Sequence, residues 1–224
     1  MISCLRTGPF GVNTYIVPLD GQEALVIDPA ACTFCGDEHV IVRWLAEHSL
    51  VPAAFILTHG HFDHVAGLPA LKEAFPAAPV CIHADDAACL GARGAAVQKE
   101  SLTAIGFSEF IPAVSSLPEA DVLLSGGKSL ADCMGSSRAD LAAWQVLHTP
   151  GHTAGSCCLY NGEQKTLLAG DTMFYHSYGR TDLPGGSEHS IRESLRTLYT
   201  TLPPDTKVYP GHETYGFTIG ENSI

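Results

Sequence analysis

The stretch "ILTHGHFDHVAG", residues 56–67, holds three histidines and one aspartate within six consecutive positions, namely His59, His61, Asp63 and His64. Imidazole and carboxylate groups are ligands for divalent transition metals. The preceding run "AAFILT" is apolar and is typical of a buried strand. We therefore expect a metal-binding cluster at a strand end. The alternative is a set of surface histidines, with Asp63 capping a helix.

The spacing within this cluster favours two neighbouring metal positions. In an extended chain, alternate residues point to the same side, so His59 and His61 can reach one ion. Asp63 and His64 are adjacent and diverge, which places them better for a second ion.

Three later stretches each place a possible ligand at the end of an apolar strand. "HTPGHTAGS" puts His152 after a Pro-Gly turn, and "LLAGDTMF" puts Asp171 after a buried apolar run. "VYPGHETY" puts His212 after a further strand. This pattern predicts a site assembled from separate strand ends along one edge of a layered structure.

The rest of the chain alternates between short strands and helices, which predicts a layered α/β sandwich. Strands are predicted at "ALVID" (24–28), "PVCIH" (79–83), "DVLL", "KSLA", "AAWQVLH", "SCCLY", "TLLAGD" and "TKVYP", and amphipathic helices over 36–50, 68–75 and 187–202. Residues 84–120 are predicted to form short helices and loops. Residues 84–140 as a whole are expected to roof the site and to select the substrate.

Composition narrows the classes of function. The 224 residues suit one domain, and 46% of them are hydrophobic. The net charge of −12 argues against a nucleic-acid partner. The sequence contains no signal peptide and no apolar run long enough to span a membrane, so we expect a cytoplasmic protein without a membrane partner. Its eight cysteines are expected as free thiols. Cys32 and Cys35 form a lone C-x-x-C whose role the sequence leaves open.

The motifs "THGHFDH", "TPGHT", "GDT" and "PGHE", in this order, resemble the metallo-β-lactamase superfamily. The likeness extends from "GVNTYIV" to "PGHE" and implies a four-layer αββα sandwich, with one domain over residues 1–224 and metals in a groove at one edge. It also implies the ligands: His59, His61 and His152 for one metal, Asp63, His64 and His212 for the other, and Asp171 bridging both.

This resemblance further implies the chemistry. Two divalent ions, zinc in first place with iron or manganese as alternatives, lower the pKa of a shared water from about 15.7 toward about 7. The resulting metal-bound hydroxide attacks the substrate, and Asp63 orients it. No serine or cysteine nucleophile is required.

Within the superfamily, the chain is most similar to glyoxalase II and its compact bacterial-type relatives. The stretches "GDTMFYHSYGRTDLPGGS" and "PGHETYGFTIGEN" carry this likeness. It implies hydrolysis of a small-molecule thioester such as S-lactoylglutathione. We expect no helical C-terminal glutathione-binding domain, since 12 residues follow His212 (224 − 212 = 12), so recognition of glutathione stays open. Asp171 argues against a β-lactamase, because those enzymes lack this bridging aspartate.

Two alternatives remain. The "GRTD" motif also occurs in persulfide dioxygenases, which use one iron bound at the positions of His59, His152 and Asp171. A metal-binding domain without catalysis is the third hypothesis. Loss of a ligand would favour it, and all seven ligand positions are present.

Further residues are candidates for supporting roles. Arg180 stands at a position where the resemblance implies a basic substrate-binding residue, although it could instead pair with Asp182. Asp28 could orient a ligating histidine or cap a turn. His83 is expected to be structural, and His148 either supports a ligand or packs in its strand. Three tyrosines could line the groove: Tyr175, Tyr178 and Tyr215.

Overall fold

Two mixed β-sheets form the interior of the protein in the computed structural model, which describes residues 1–223. The first sheet contains, in spatial order, β1 (Ser3–Thr7), β2 (Val12–Pro18), β3 (Glu23–Ile27), β4 (Val51–Ile56), β5 (Val80–His83) and β6 (Val122–Leu124). The second contains β7 (Trp144–His148), β8 (Cys157–Asn161), β9 (Thr166–Gly170), β10 (Lys207–Pro210) and β11 (Phe217–Thr218).

Seven α-helices connect and cover these strands in the described part of the chain. They are α1 (Val40–Glu47), α2 (Phe62–Val65), α3 (Leu68–Ala74), α4 (Gly91–Ala104), α5 (Leu130–Met134), α6 (Ala139–Ala142) and α7 (Glu188–Thr201). None of the helices within residues 1–223 has the length and apolar character to cross a lipid bilayer.

The parallel parts of the two sheets position the strand ends that matter. β3, β4, β5 and β6 run parallel in the first sheet, and β9 and β10 run parallel in the second. Parallel strands are buried on both faces, which explains the uninterrupted apolar runs that end β4 and fill β9. Residues that follow the carboxyl ends of parallel strands emerge on the same side of a sheet and can meet there.

Three apolar clusters separate four layers. One cluster lies between the sheets and contains Tyr15, Ile56 and Trp144. A second joins the outer face of the first sheet to α1, α3 and α4, and a third joins the second sheet to α7. This is the four-layer αββα sandwich that the sequence motifs imply.

Helix α7 shows how local sequence produces one outer layer. The Ser187 hydroxyl caps the helix by accepting a hydrogen bond from the Ser190 amide. Ile191, Leu195 and Leu198 follow at helical spacing and are buried against the second sheet. The prediction over 187–202 is confirmed to within one residue at each end.

Two predictions of secondary structure need correction. Residues 84–120 form helices and loops as predicted, but the 14-residue helix α4 is longer than the short helices expected there. The segment "KSLA" is not a strand but the start of α5. There, the Ser129 hydroxyl accepts a hydrogen bond from the Asp132 amide, and the Asp132 carboxylate accepts one from the Ser129 amide. This capping box, together with left-handed Gly135 at the other end, outweighs the apolar pattern.

Candidate metal centre

The seven predicted ligands meet at one edge of the sandwich, each placed by the end of a strand. His59 and His61 follow β4, and Asp63 and His64 lie in α2 immediately after them. The other three follow strands of the second sheet: His152 after β7, Asp171 after β9 and His212 after β10. The chain thus brings together side chains that are up to 153 positions apart in the sequence (59 to 212).

The first group consists of His59, His61 and His152. The ring centre of His59 lies 4.9 Å from that of His61 and 4.7 Å from that of His152. His61 Nδ1 lies 2.8 Å from His152 Nε2. His152 donates its Nδ1 proton to the carbonyl oxygen of Arg180, 2.8 Å away, so its Nε2 carries a free lone pair directed into the site.

The second group consists of Asp63, His64 and His212. His61 has extended backbone geometry and precedes α2, so that Asp63 and His64 occupy the single turn that follows. His64 Nε2 lies 3.2 Å from His212 Nε2. Asp63 Oδ2 lies 3.4 Å from His212 Nε2 and 3.7 Å from His64 Nε2. The two neighbours on α2 therefore face the same space.

Asp171 stands between the two groups. Its Oδ1 lies 3.4 Å from His64 Nε2, and its Oδ2 lies 3.5 Å from both His152 Nε2 and His212 Nε2. A side chain at Gly211 would place its Cβ 2.3 Å from Asp171 Oδ1, which explains the glycine before His212 in "PGHE". One carboxylate thus contacts both groups of ligand-type residues.

The imidazole nitrogens and carboxylate oxygens of the ligand-type residues are suited to bind divalent cations. His59 Nε2 and Asp171 Oδ1 are buried and have no hydrogen-bond partner among residues 1–223. Native proteins rarely leave such groups unsatisfied. Each group of three residues also holds its potential ligand atoms within 4.8 Å of one another. Imidazole and carboxylate donors in this arrangement suit Zn²⁺, Fe²⁺ or Mn²⁺.

Electrostatics support the same fit. Burial lowers the pKa of His59 well below its usual range, and burial with neighbouring His152 lowers the pKa of His61 to about 3. Both rings are therefore neutral, which is the form that binds metals. Burial also lowers the pKa of His64, but Asp171, together with Asp63 and Asp28, outweighs burial and raises it to about 10. The carboxylates thus make this pocket favourable for positive charge.

Asp28 directs the ring of His64 into the site. Its Oδ2 lies 3.1 Å from His64 Nδ1, and its Oδ1 accepts a hydrogen bond from the Thr58 amide at 2.8 Å. Asp28 has φ of +50°, a conformation that aspartate and asparagine adopt more readily than most residues. Of the two roles expected for Asp28, the structure supports orientation of a histidine.

Asp86 joins the two ligand-bearing loops, and sequence analysis missed it. Its buried carboxylate accepts hydrogen bonds from the Gly60 amide at 2.8 Å, the Gly155 amide at 2.8 Å and the Thr153 hydroxyl at 2.7 Å. Gly60 lies between the first two histidines, and Thr153 follows His152. In the sequence, "DD" at 85–86 is typical of an exposed acidic pair, and only the structure shows that the second aspartate is buried.

Arg180 pairs with Asp182, which is one of the two roles considered for it. Its guanidinium forms a two-point ion pair with Asp182, at 2.7 Å and 2.8 Å, while the side chain also lines the groove beside His152 and Asp171. The ion pair raises the pKa of Arg180 and lowers that of Asp182 to about 2.

The three tyrosines do not line this groove. Tyr178 donates its hydroxyl proton to Glu188 at 2.8 Å, Tyr175 packs on Phe217, and Tyr215 packs on Tyr15 and Tyr209. The aromatic residues that do line it are Phe10 and Phe174, neither of which the sequence singles out.

The expected roof over residues 84–140 is confirmed only in its first part. Gln98 and Ser101 of α4, and Ile105 just after it, line the space above the ligands. Residues 121–140 line neither described cavity at the ligands.

His83 and His148 lie away from the site. Their rings stack on each other, with centres 4.1 Å apart and an angle of 11° between planes. His148 Nε2 lies 2.9 Å from the carbonyl oxygen of Ala154. The structural role expected for His83 agrees with this packing, and His148 packs with it rather than supporting a ligand.

The chain belongs to the metallo-β-lactamase superfamily. The model of this family matches residues 7–132 and 135–212, which include all seven ligand-type residues. This is a superfamily of metallo-hydrolases, and its members bind divalent metals.

Individual relatives match this chain over nearly its full length. The chain is 35% identical to an uncharacterized protein of Aquifex aeolicus, with 95% of this chain and 89% of that protein covered. It is 32% identical to a probable metallo-hydrolase of Bacillus subtilis, over 93% of this chain and 88% of that one. It is 28% identical to a hydroxyacylglutathione hydrolase of Haemophilus influenzae, over 98% of this chain and 93% of that one.

Solved structures share the fold. BLEG-1, a B3 metallo-β-lactamase, has a TM-score of 0.81 and 31% identity, covering 99% of this chain and 95% of its own. TTHA1623 in a di-iron-bound form has a TM-score of 0.73 and 30% identity, and the match covers 98% of this chain and 96% of that one. ETHE1 from Myxococcus xanthus has a TM-score of 0.70 and 27% identity, and the match covers 99% of this chain and 80% of that one.

Proposed function

We propose that this protein is a metal-dependent thioesterase of the glyoxalase II type, acting on S-lactoylglutathione or a related small thioester. The observation that carries the proposal is the position of Asp171, whose carboxylate contacts histidines of both groups and so suits a two-metal hydrolytic centre. The similarity to the hydroxyacylglutathione hydrolase of Haemophilus influenzae supports thioesters as the substrate class.

In this proposal, two divalent cations occupy the site, zinc in first place with iron or manganese as alternatives. When bound, they supply a water of lowered pKa and positive charge for the substrate's carbonyl oxygen. The ligands are His59, His61 and His152 for one ion, Asp63, His64 and His212 for the other, and Asp171 for both.

The protein's own residues orient the reacting groups. Burial raises the pKa of Asp63, but the charge of His64 and a hydrogen bond from His212 outweigh it and hold the pKa well below its usual range. Asp63 is therefore an ionised acceptor that can orient the attacking water through one of its protons. The water oxygen bonds to the carbonyl carbon, the carbon–sulfur bond breaks, and the products are a carboxylic acid and a thiol.

The thiol part of the substrate has a separate place to bind. A groove of about 420 Å³ beside His152 and His212 is lined by Arg6, Phe174, Arg180 and Glu213, among others. Arg180 is half-exposed, and its guanidinium can bind a substrate carboxylate while it stays paired with Asp182.

Replacing Arg180 by Ala is therefore expected to raise KM more than it lowers kcat. If neither KM nor kcat changed, Arg180 would be a residue that only shapes its loop.

Metal analysis combined with two assays tests the proposal. One assay follows thiol release from S-lactoylglutathione and simpler thioesters, and the other follows oxygen uptake with glutathione persulfide. Two equivalents of metal with thiol release support the thioesterase. The His59→Ala variant should lose metal and activity, whereas His39→Ala, a change at an exposed histidine, should retain both. Full hydrolysis by His59→Ala would remove the metal-centred mechanism.

A persulfide dioxygenase is the second candidate. The similarity to ETHE1 of Myxococcus xanthus favours it, and the di-iron form of TTHA1623 shows that a relative binds iron. One equivalent of iron with oxygen uptake would support this candidate and overturn the first. Because BLEG-1 is a B3 metallo-β-lactamase, hydrolysis of a β-lactam belongs in the same test. Bound metal without any of these activities would indicate a non-catalytic domain.

A further inference from the structure

A small cavity opens at the ligand cluster and adjoins the groove of about 420 Å³ proposed for the thiol part of the substrate, which we call the thiol groove. The small cavity has a volume of about 160 Å³, and its floor is formed by ligand-type residues. We call the space above that floor the inner lobe. Its walls are Phe10, Phe62, Gln98, Ser101, Ile105, Arg180 and Leu183. Phe10 and Arg180 line both the inner lobe and the thiol groove, so the two spaces adjoin each other.

The aromatic wall of the inner lobe is held from behind. The ring of Phe10 makes edge-to-face contacts with Phe62, Phe107 and Phe110, at centre distances of 5.4 Å, 5.2 Å and 5.8 Å. Phe62 also stacks on Phe110 at 5.4 Å. Phe10 is nevertheless 41% exposed, so one side of its ring remains available. The wall is thus an apolar surface with fixed geometry.

The polar side chains of the inner lobe do not suit a charged group. Gln98 donates its two amide protons to the carbonyl oxygens of Gly60 and Cys89, at 2.7 Å and 3.2 Å. Arg180 is the only cationic Lys or Arg side chain among the described residues that line the cavity. Its charge is already shared with Asp182 and, in the proposed function, with a carboxylate of the thiol part of the substrate. Transferring an unpaired carboxylate into such a space is strongly unfavourable.

The size of the inner lobe limits what can enter it. An engineered apolar cavity of about 150 Å³ accommodates benzene, which has six carbons. The lobe has a similar volume and must also accept the reacting carbonyl group above the ligand cluster. A chain of roughly four to six carbons therefore fills it, whereas a long fatty chain does not fit.

We propose that the inner lobe binds the acyl part of the substrate and selects short, uncharged acyl groups of about four to six carbons. This inference rests on the proposed thioesterase function and specifies its substrate class. The acyl chain lies against Phe10, Ile105 and Leu183, while the thiol part extends into the adjoining thiol groove, which Phe10 also lines.

A series of acyl thioesters of N-acetylcysteamine, from acetyl to decanoyl, tests this assignment. Each methylene buried in the lobe should raise kcat/KM about fourfold, up to an optimum between four and six carbons, with a decline beyond it. Succinyl thioester carries a charged end, and its kcat/KM should be lower than that of butyryl thioester by a factor of at least about ten. A flat profile, a rise continuing to decanoyl, or equal rates for succinyl and butyryl would overturn the proposal.

Two substitutions should move the optimum in opposite directions. Ser101→Leu places a larger side chain in the lobe, which reduces its space and should shift the optimum to shorter acyl chains. Ile105→Ala shortens a wall side chain, which enlarges the lobe and should shift the optimum to longer acyl chains. Thr103→Leu, at an exposed position of the same helix, is the matched control and should leave the profile unchanged. An optimum that stays fixed in both lobe variants would contradict the assignment.

A binding experiment separates this inference from the proposed function. Straight-chain alkyl hydroxamates from acetyl to decanoyl are titrated into the zinc-loaded protein and followed by calorimetry. An affinity maximum at four to six carbons without any thioester cleavage would retain the inner lobe as an acyl site and reject the thioesterase. Thioester cleavage without any chain-length preference, in rate or in binding, would reject the lobe assignment and retain the thioesterase.

Discussion

Three of the five histidines of the candidate metal centre have a ring orientation supported by their other nitrogen. The Nδ1 atom of His152 bonds to the Arg180 carbonyl, that of His64 contacts Asp28, and that of His59 lies 3.1 Å from the Thr58 hydroxyl. Such contacts select the tautomer and direct the opposite nitrogen toward the site. At the residue scale, the centre therefore depends on groups that are not themselves ligands.

Replacing Asp28 by Asn tests this dependence. Asparagine keeps the volume and tolerates φ of +50°, but it removes the charge beside His64 Nδ1. We expect metal affinity to fall about 10- to 100-fold, measured by competition with a chelator. Asp20→Asn, at an exposed aspartate, is the control. Equal affinities for the two variants would show that Asp28 does not orient His64.

Asp86→Asn tests the link between the two ligand loops. An amide group would present its own protons to at least one of three donors, Gly60, Thr153 and Gly155. Loss of a buried acceptor costs about 1–3 kcal/mol, and each kcal/mol lowers Tm by roughly 2–4 °C in a protein of this size. Calorimetry of the metal-free protein measures this, with exposed Asp85→Asn as the neighbouring control.

Metal affinity should fall together with Tm in the Asp86 variant, because the same carboxylate fixes the backbone on both sides of the first histidine group. If Tm and affinity in Asp86→Asn matched those in Asp85→Asn, the buried carboxylate would have no positioning role.

At the scale of elements, the hydrophobic pattern was sufficient to predict strands that are buried on both faces and a helix that packs through one apolar face. β4, β9 and α7 are found where their apolar patterns predict them. The length of α4 was not predicted, because "GARGAAVQKESLTA" contains few large apolar residues and two glycines. Gly94 allows close packing, since a Cβ there would lie 2.5 Å from the Cys89 carbonyl oxygen. Such a helix is stabilised by tertiary contacts that its own pattern does not record.

Helix α6 is tied to the first sheet by charge, which gives a prediction about pH. Arg138 pairs with Glu23 of β3 and with Asp140, whose Oδ2 lies 2.7 Å from the guanidinium. Hydrogen bonds from Arg138 lower the pKa of Asp140 from 3.8 to about 2. Because the folded pKa is depressed, this contribution to stability is present above about pH 4 and is lost as pH falls toward 2.

Asp140→Asn should therefore destabilise the protein at pH 7 by up to about 1 kcal/mol, the scale of a partly screened ion pair. The difference from wild type should shrink as pH falls from 4 toward 3, as measured by urea unfolding. Asp205→Asn breaks the more exposed pair with Lys165 and should have a smaller effect at pH 7. A difference that stays constant from pH 7 to pH 3 would exclude the ion pair as its cause.

At the scale of the whole molecule, the sequence predicted which residues converge but not what surrounds them. The αββα architecture and the edge location follow from motifs that end strands, because strand ends of a layered fold meet at an edge. The walls of the inner lobe are different: Phe10 lies at a turn, Ile105 follows a helix whose length was not predicted, and Leu183 lies in a loop. Side chains brought in by turns carry no periodic signal, so the inner lobe was invisible in the sequence.

The metal centre also joins the two sheets, which predicts a global effect of metal removal. One set of ligand-type residues follows β4 of the first sheet, and the others follow β7, β9 and β10 of the second. An ion that binds only the folded protein adds about 2.7 kcal/mol of stability at a free concentration 100 times its Kd. For a protein of this length, the loss of that term corresponds to a fall in Tm of roughly 5–10 °C.

Calorimetry of the metal-loaded and chelated protein measures this fall, with elemental analysis to establish metal content. His39→Ala should show the same fall as wild type, since His39 is exposed and distant in sequence from the ligand groups. His59→Ala should show a smaller fall, because the first group of ligands, which spans both sheets, is incomplete. If chelation left Tm unchanged in protein shown to have lost its metal, the ions would not join the sheets, and the unsatisfied atoms of His59 and Asp171 would need another explanation.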